Sequence, residues 1–388
     1  MELFGNNLIF ISENGIISKV TQISAVFLLL HIRREKIMKI AVIGCGTIAN
    51  SCHIPSYLAN EEAEIKYFCD IIPERAEAAV KKYGCGTAVV DYREVLADPE
   101  IEAVSVCTPN YCHKEISVAA LAAGKNVLCE KPAARTLEEA EEMLKAQEKY
   151  GKVLNIGVVN RFNDNVNEIK KIIDSGALGE IYQVYVSFRA HRSIPGIGGA
   201  FTTKSIAGGG VLIDWGVHYL DIVMYCCGDP VAKTVSAECF SKLGTPISDY
   251  VYESMWAEHL RDVNGICDVD EAITGIVRTD GPVITLNGAW AQNIAVPERY
   301  IDFIGTKAGI RLTYCGSFQV FGVKDGKLTT ETIDVNKNNM FRNEINAFVE
   351  NAKCPEKILP SHISINIKTQ KLMDALYRSA EEHREVTL

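Results

Sequence analysis

The stretch Lys39-Ile40-Ala41-Val42-Ile43 runs without a break into Gly44-Cys45-Gly46-Thr47-Ile48-Ala49. Few patterns restrict a chain so severely. An uninterrupted apolar run predicts a strand buried on both faces, which belongs in a parallel sheet with helices on either side. Gly44 permits a tight turn off that strand, Gly46 lets the backbone approach a pyrophosphate, and Ala49 allows the next helix to pack close to the sheet. The amides that open the helix, with its dipole, favour an anion. Ile65-Lys66-Tyr67-Phe68-Cys69-Asp70 supplies a second strand. Its terminal acid lies about 20 residues past Ala49, where a carboxylate holds ribose hydroxyls and repels a 2′-phosphate. The unit therefore predicts NAD rather than NADP, held by Gly44, Gly46, Thr47, Ile48, Ala49 and Asp70.

The alternation continues. Ala103 to Cys107 reads as a strand, Thr108-Pro109-Asn110 as a loop, Cys112 to Ala123 as a helix and Lys125 to Cys129 as the next strand. Thr136 followed by Glu139 is a capping box that opens another helix, and Val153 to Val159 is a further apolar run. Strands alternating with helices imply a doubly wound parallel sheet, here over residues 38–160. The strand that ends in Cys129-Glu130-Lys131-Pro132 delivers a lysine to the carboxyl edge, where open α/β sheets bind ligands. Thr108, Pro109, Asn110 and Glu130 reach the same edge, beside the nicotinamide end of a dinucleotide.

A chain of 388 residues exceeds one ordinary core, so a second domain is expected. After residue 160 the texture changes to β-forming stretches: Ile181 to Ala190, Val231 to Phe240, Ala272 to Arg278, Val283 to Ala291, Ile301 to Ile304, Ile310 to Tyr314 and Phe318 to Phe321. Turn signals such as Asp280-Gly281-Pro282 and Asp325-Gly326 separate them. The expectation for 161–388 is an α+β domain with a large, mostly antiparallel open sheet, closed by helices at Asn343 to Ala352 and Ile363 to Glu382. Leu212 to Cys227 reads as a helix after Gly208-Gly209-Gly210. On it Asp214, His218 and Asp221 stand at i, i+4 and i+7, one face of an α-helix. A carboxylate one turn from a histidine orients the imidazole and tunes its pKa for proton transfer. Such pairs are also common as plain structure; Lys131 and the dinucleotide unit tip the reading towards chemistry.

Composition excludes several classes. A net charge of −9 without a basic cluster argues against nucleic acid and against anionic membrane surfaces. The 13 cysteines are odd in number and scattered, with no Cys-x-x-Cys pair, which suits neither a disulfide framework nor a metal site and points to a reducing cytoplasm. Residues 1–37 read as an extension ahead of the domain that Met38 opens. Their apolar run, Ile23 to Ile32, is too short to cross a bilayer of about 30 Å, and its charges, Arg33, Arg34 and Lys36, follow it where a secretory signal would place them first.

From residue 38 to 388 the chain resembles the glucose–fructose oxidoreductase / inositol dehydrogenase / MocA family. The resemblance rests on Gly44 to Ala49, on Cys107-Thr108-Pro109-Asn110 with His113, on Glu130-Lys131-Pro132, on Asn160-Arg161-Phe162, and on the glycine run leading into Asp214-x-x-x-His218. It implies a Rossmann domain whose cofactor contacts include His113, Glu130 and Lys131, and a second domain whose open sheet builds a homodimer or homotetramer. It also implies that Lys131 and His218 face the substrate with Asp214 and Asp221 beside them. Some members carry tyrosine at the place of His218; this chain follows the inositol-dehydrogenase pattern. The implied reaction removes a hydride from a secondary hydroxyl of a sugar, glycoside or cyclitol, with His218 as base, Lys131 stabilising the alkoxide and Asp214 orienting His218. Arg161, Arg189, His191 and Arg192 are candidates for the polyol pocket. Trp290 is a stacking platform or a core residue, and Ile194 to Phe201 a lid or a plain connection. Ala200-Phe201-Thr202-Thr203-Lys204 resembles members acting on glycosides, which favours a glucoside C3 hydroxyl. Two other readings compete. One is an NAD-retaining glycosidase working through transient C3 oxidation; the other is a sugar-sensing regulator without catalysis, against which Lys131, Asp214 and His218 all count.

Overall fold

The computed structural model describes residues 3–4, 7–11, 17–20, 37–253, 261–337 and 339–388. The apolar run Ile23 to Ile32 and the charges after it lie outside the described residues. Leu3–Phe4 (β1), Asn7–Ile11 (β2) and Ile17–Val20 (β3) pair as a small antiparallel sheet.

Six parallel strands follow: Met38–Ile43 (β4), Ala63–Cys69 (β5), Thr87–Val89 (β6), Ala103–Val106 (β7), Asn126–Glu130 (β8) and Leu154–Gly157 (β9). Their spatial order is β6-β5-β4-β7-β8-β9, which reverses direction at β4. Such a reversal opens a crevice beyond the carboxyl ends of the strands. Ile40, Ala41 and Val42 are fully buried, as an uninterrupted apolar strand requires. The short edge strand β6 was not anticipated, because three residues at an edge carry no periodic signal.

The second sheet has nine strands: Ile181–Arg189 (β10), Ala232–Phe240 (β11), Ala272–Thr279 (β12), Val283–Ala289 (β13), Glu298–Gly305 (β14), Gly309–Thr313 (β15), Phe318–Lys324 (β16), Lys327–Ile333 (β17) and Val386–Thr387 (β18). The order is β17-β16-β15-β14-β10-β13-β12-β11-β18, antiparallel throughout except for β10 against β13. The sequence showed no sign of β17, since Lys-Leu-Thr-Thr-Glu-Thr-Ile is solvated and lacks apolar alternation. Along β10 the alternation is clear. Val184, Val186 and Phe188 face a core shared with Leu212, Val217, Leu220 and Val223 of the helical layer. Tyr185 faces the other way and stacks on Tyr300, with ring centres 6.1 Å apart.

The glycine run has a packing cause. A Cβ on Gly210 would lie 1.8 Å from the Asp270 carbonyl oxygen. The Asp270 carboxylate accepts the amides of Gly210 at 2.7 Å and Leu212 at 3.2 Å and thereby starts the helix. That helix opens with a π turn over Leu212–Gly216 and continues as α-helix over Val217–Cys226. The segment Ile194 to Phe201 is packed: Ile194 and Ile197 are buried, and the Gly198 amide donates to Thr202 Oγ1 at 2.9 Å. The closing helix Met340–Lys353 returns to the parallel sheet, where Ile345, Phe348 and Val349 complete the core of Met38, Ile40, Val42 and Leu128. Among the described residues no helix is long and apolar enough to cross a membrane, and no group of His, Cys, Asp and Glu could hold a metal ion. All thirteen cysteines are free thiols.

Candidate active site

The loop after β4 is built for close approach. Gly44 adopts φ of +93°, and a Cβ there would sit 2.4 Å from the Cys107 carbonyl oxygen, whereas a Cβ on Gly46 would meet nothing within 4 Å. One glycine thus meets the neighbouring strand end, and the other borders open space. Asp70, at the tip of β5, accepts the Cys45 amide with Oδ2 and the Ile72 amide with Oδ1, both at 2.9 Å. Both carboxylate oxygens thereby clamp the loop. Asn50, which sequence reasoning passed over, donates to the carbonyls of Cys45 and Gly46 at 2.8 and 3.1 Å. The Thr108 hydroxyl is buried without a protein partner. A bare-backbone cradle, an anchored acid and an orphaned hydroxyl suit a dinucleotide. Gly44→Ala is expected to cost at least ~1–2 kcal/mol from the left-handed conformation alone, with displacement of the Cys107 carbonyl in addition. Thermal unfolding with and without NAD checks this; an unchanged melting temperature and an unchanged NAD shift would contradict it.

Glu130 lies at the buried end of β8 and turns inward. Its Oε1 meets His53 Nε2 at 2.7 Å, and its Oε2 accepts the Lys131 amide at 3.0 Å. His53 Nδ1 reaches Ser105 Oγ at 2.8 Å. Burial works against the charge on His53, but Cys107 and Glu130 carry its pKa well above the ordinary value. Burial likewise opposes Glu130 ionisation, yet the hydrogen bond and charge of His53, with Lys131, hold its pKa low. The result is a buried imidazolium–carboxylate pair that fixes the backbone at Lys131. His113 completes the scaffold, with Nδ1 2.8 Å from the Pro132 carbonyl and Nε2 2.9 Å from that of Thr108.

Lys131 crosses to the helix that carries Asp214 and His218. Its Nζ donates to Asp214 Oδ1 at 3.0 Å and to the Asp214 carbonyl at 3.1 Å. The expectation that Asp214 orients His218 needs correction. Asp214 lies in the π turn Leu212–Gly216, and its carboxylate goes to Lys131. Asp214 Oδ2 is buried with no protein partner. His218 is instead approached by Asn160, whose Nδ2 lies 3.4 Å from His218 Nδ1 and 3.4 Å from the Tyr314 hydroxyl. Burial first, and the Lys131 charge second, hold the His218 pKa well below the ordinary imidazole value, so the ring is neutral. Tyr314 stacks on Tyr219 with centres 4.6 Å apart and lies 6.2 Å from the His218 ring. Arg299 covers Trp215 at 5.2 Å.

Four polyol-pocket assignments change. Arg161 and Asp221 are buried against one another in a two-pronged pair at 2.8 Å, and Asn366 and Thr369 both add a donor to Asp221 Oδ1 at 3.3 Å. The charge of each is met by the other, and both side chains are about 2% exposed. Arg189 follows Phe188 on β10 and so emerges on the opposite face of the sheet, paired with Glu298 at 2.7 Å. Arg192 is spent on the carbonyls of His191 and Gln292 and on Asn293, and His191 pairs with Glu253. Trp290 is a core residue. Asn110 donates to the Ala207 carbonyl at 2.8 Å, tying the cofactor loop to the glycine run. Arg161→Met strands the Asp221 charge and is expected to destabilise the fold by ~3–5 kcal/mol. Urea unfolding reads this; unchanged stability with weakened sugar binding would return Arg161 to the pocket.

His53, Asn50, Asn160, Tyr314 and Asp270 escaped the sequence reading. Asn160 stood in a recognised motif, but nothing local marked which neighbour it serves.

Residues 38–158 match the oxidoreductase family with an NAD-binding Rossmann fold, and residues 166–311 match the GFO/IDH/MocA C-terminal domain. A D-glucoside 3-dehydrogenase of Escherichia coli (strain K12) is 31% identical over 354 residues, covering 90% of this chain and 97% of that protein. A levoglucosan dehydrogenase of Pseudarthrobacter phenanthrenivorans is 33% identical over 268 residues, 64% of this chain and 65% of that protein. A structure of levoglucosan dehydrogenase in complex with NADH and levoglucosan superposes with a TM-score of 0.76 at 23% identity, over 90% of this chain and 99% of that one.

Proposed function

This chain belongs to the Gfo/Idh/MocA family of NAD-dependent oxidoreductases, and from that premise we propose that it oxidises the C3 hydroxyl of a D-glucoside or a closely similar glycoside. One observation carries the reading. Asp214 Oδ1 is held by Lys131 at 3.0 Å, while its Oδ2 is buried and unpartnered. A buried carboxylate oxygen without a donor is costly, and a hydroxyl beside the reacting carbon supplies that donor. Adjacent hydroxyls are what pyranosides and cyclitols offer, and the glucoside 3-dehydrogenase relative favours the pyranoside.

Gly44, Gly46, Thr47, Ile48 and Ala49 hold the pyrophosphate, Asp70 the ribose, and Thr108, Pro109, Glu130 and His113 shape the nicotinamide end. Bound NAD supplies the redox chemistry, accepting a hydride from the carbon that carries the hydroxyl. Neutral His218 takes the hydroxyl proton as that carbon becomes a carbonyl. Lys131 has three N–H donors; two are used on Asp214, and the third meets the oxygen on which negative charge develops. Residues 38–160 then hold the cofactor and residues 161–388 the substrate. An oligomer formed through the open face of the large sheet, around Tyr185 and Tyr300, is part of the same proposal, as is a reducing cytoplasmic setting for thirteen free thiols. Light scattering tests the oligomer.

The deciding experiment follows NADH absorbance over alkyl and aryl D-glucosides, levoglucosan and inositols, with NADP as control, and identifies the product by NMR. A 3-keto glucoside with NADH supports the proposal. NADH from inositols alone overturns the glycoside assignment, and cleaved glycoside without net NADH gives the NAD-retaining glycosidase instead.

A further inference from the structure

Neutral imidazole carries one proton, and the nitrogen that holds it decides whether His218 can act as a base. Nδ1 faces the Asn160 carboxamide, so Nε2 is the nitrogen left for a substrate. Nε2 accepts a proton only if Nδ1 already bears one. The same holds after transfer, since imidazolium has both protons. In both states Nδ1 needs an acceptor.

The carboxamide can present either of its ends. With its NH₂ towards His218, as here, Nδ1 is the acceptor, Nε2 carries the proton and the ring is not a base at Nε2. A half-turn about the last side-chain bond places Oδ1 at the same point, because the two ends have nearly the same size. Oδ1 then accepts from Nδ1–H and from the Tyr314 hydroxyl, which lies within reach at 3.4 Å. We propose that Asn160 is the positioning residue for His218, and that turnover requires its amide oxygen to face Nδ1, with the Tyr314 hydroxyl as the second donor holding it there.

The surroundings leave this task to Asn160. Lys131 reaches over from the Rossmann edge and disfavours imidazolium. Asp214, one turn earlier on the same helix, has its Oδ1 on Lys131, and Asp221, one turn later, is held in the ion pair with Arg161. Tyr314, beyond β15, is kept neutral by burial, and burial also raises the adjacent Cys315 thiol. Of these groups, the Asn160 amide is the one at hydrogen-bonding distance from Nδ1.

The inference rests on His218 being the base, and substitution separates the two ideas. Asn160→Asp can only accept, so it fixes the proton on Nδ1. This variant is expected to keep most of its kcat while the acid limb of kcat/KM moves to higher pH, because an opposite charge favours imidazolium. Asn160→Leu is expected to lose about 10- to 100-fold in kcat, the worth of a hydrogen bond to a charged group. Imidazole ¹⁵N NMR of the cofactor-free protein gives a readout independent of turnover: Asn160→Asp should show His218 protonated at Nδ1. If Asn160→Asp is as impaired as Asn160→Leu, or if neither variant moves kcat or the pH profile, the proposal fails. Were His218→Ala to retain turnover, the base assignment itself would be at fault instead.

Discussion

Lys131→Ala is expected to lower kcat by ~10²–10³-fold, the usual cost of removing one donor aimed at a developing oxyanion. NAD binding should be largely kept, because the glycine loop and Asp70 do not depend on this side chain. The size follows from geometry. Lys131 is mostly buried, its Nζ is positioned by two hydrogen bonds to Asp214, and Glu130 fixes its backbone through the His53 ion pair. A donor held from both sides spends nothing on reorganisation as charge develops, and its absence leaves the Asp214 carboxylate without a counter-ion. Nucleotide binding is followed by protein fluorescence quenching and turnover by NADH absorbance. Wild-type turnover in Lys131→Ala would sink the assignment.

His218→Ala should lose ~10²–10⁴-fold, the range for a positioned general base. Its pH dependence adds a sharper test. An ordinary imidazole is half protonated near pH ~6.5; burial and the Lys131 charge push His218 well below that. With the neutral ring as the proposed base, the group stays competent as pH falls past the ordinary value and fails only below its own lowered pKa. The acid limb of kcat/KM should therefore lie on the acid side of an unperturbed histidine. Lys131→Ala removes one of the two causes, so its residual activity should show the acid limb moved to higher pH. An acid limb at the unperturbed value in wild type, unmoved in Lys131→Ala, would contradict this account.

The parallel sheet was legible because β4 and the glycine loop are contiguous and each residue does a local job. Strand periodicity also located β10 to β16, though β17 and β6 stayed hidden for lack of an apolar pattern. The candidate site was legible only as a list. Lys131, Asp214 and His218 stood in recognisable positions, but helical spacing paired Asp214 with His218, and Lys131 took the Asp214 carboxylate instead. The same spacing placed Asp221 beside them, where Arg161, 60 positions away in the chain, neutralises it. Arg189 looked available until the alternation of β10 sent it to the far face of the sheet.

What the sequence by itself determined is the order of strands and helices, the dinucleotide cradle and the supply of reactive side chains, since backbone preference and periodicity act between near neighbours. What only the tertiary structure decided is which partner each polar side chain takes. Lys131 reaches Asp214 across 83 positions, His53 reaches Glu130 across 77, and Asn160 meets Tyr314 across 154. A buried charge or amide must find its partner wherever the fold brings one, and chain separation carries no record of that choice.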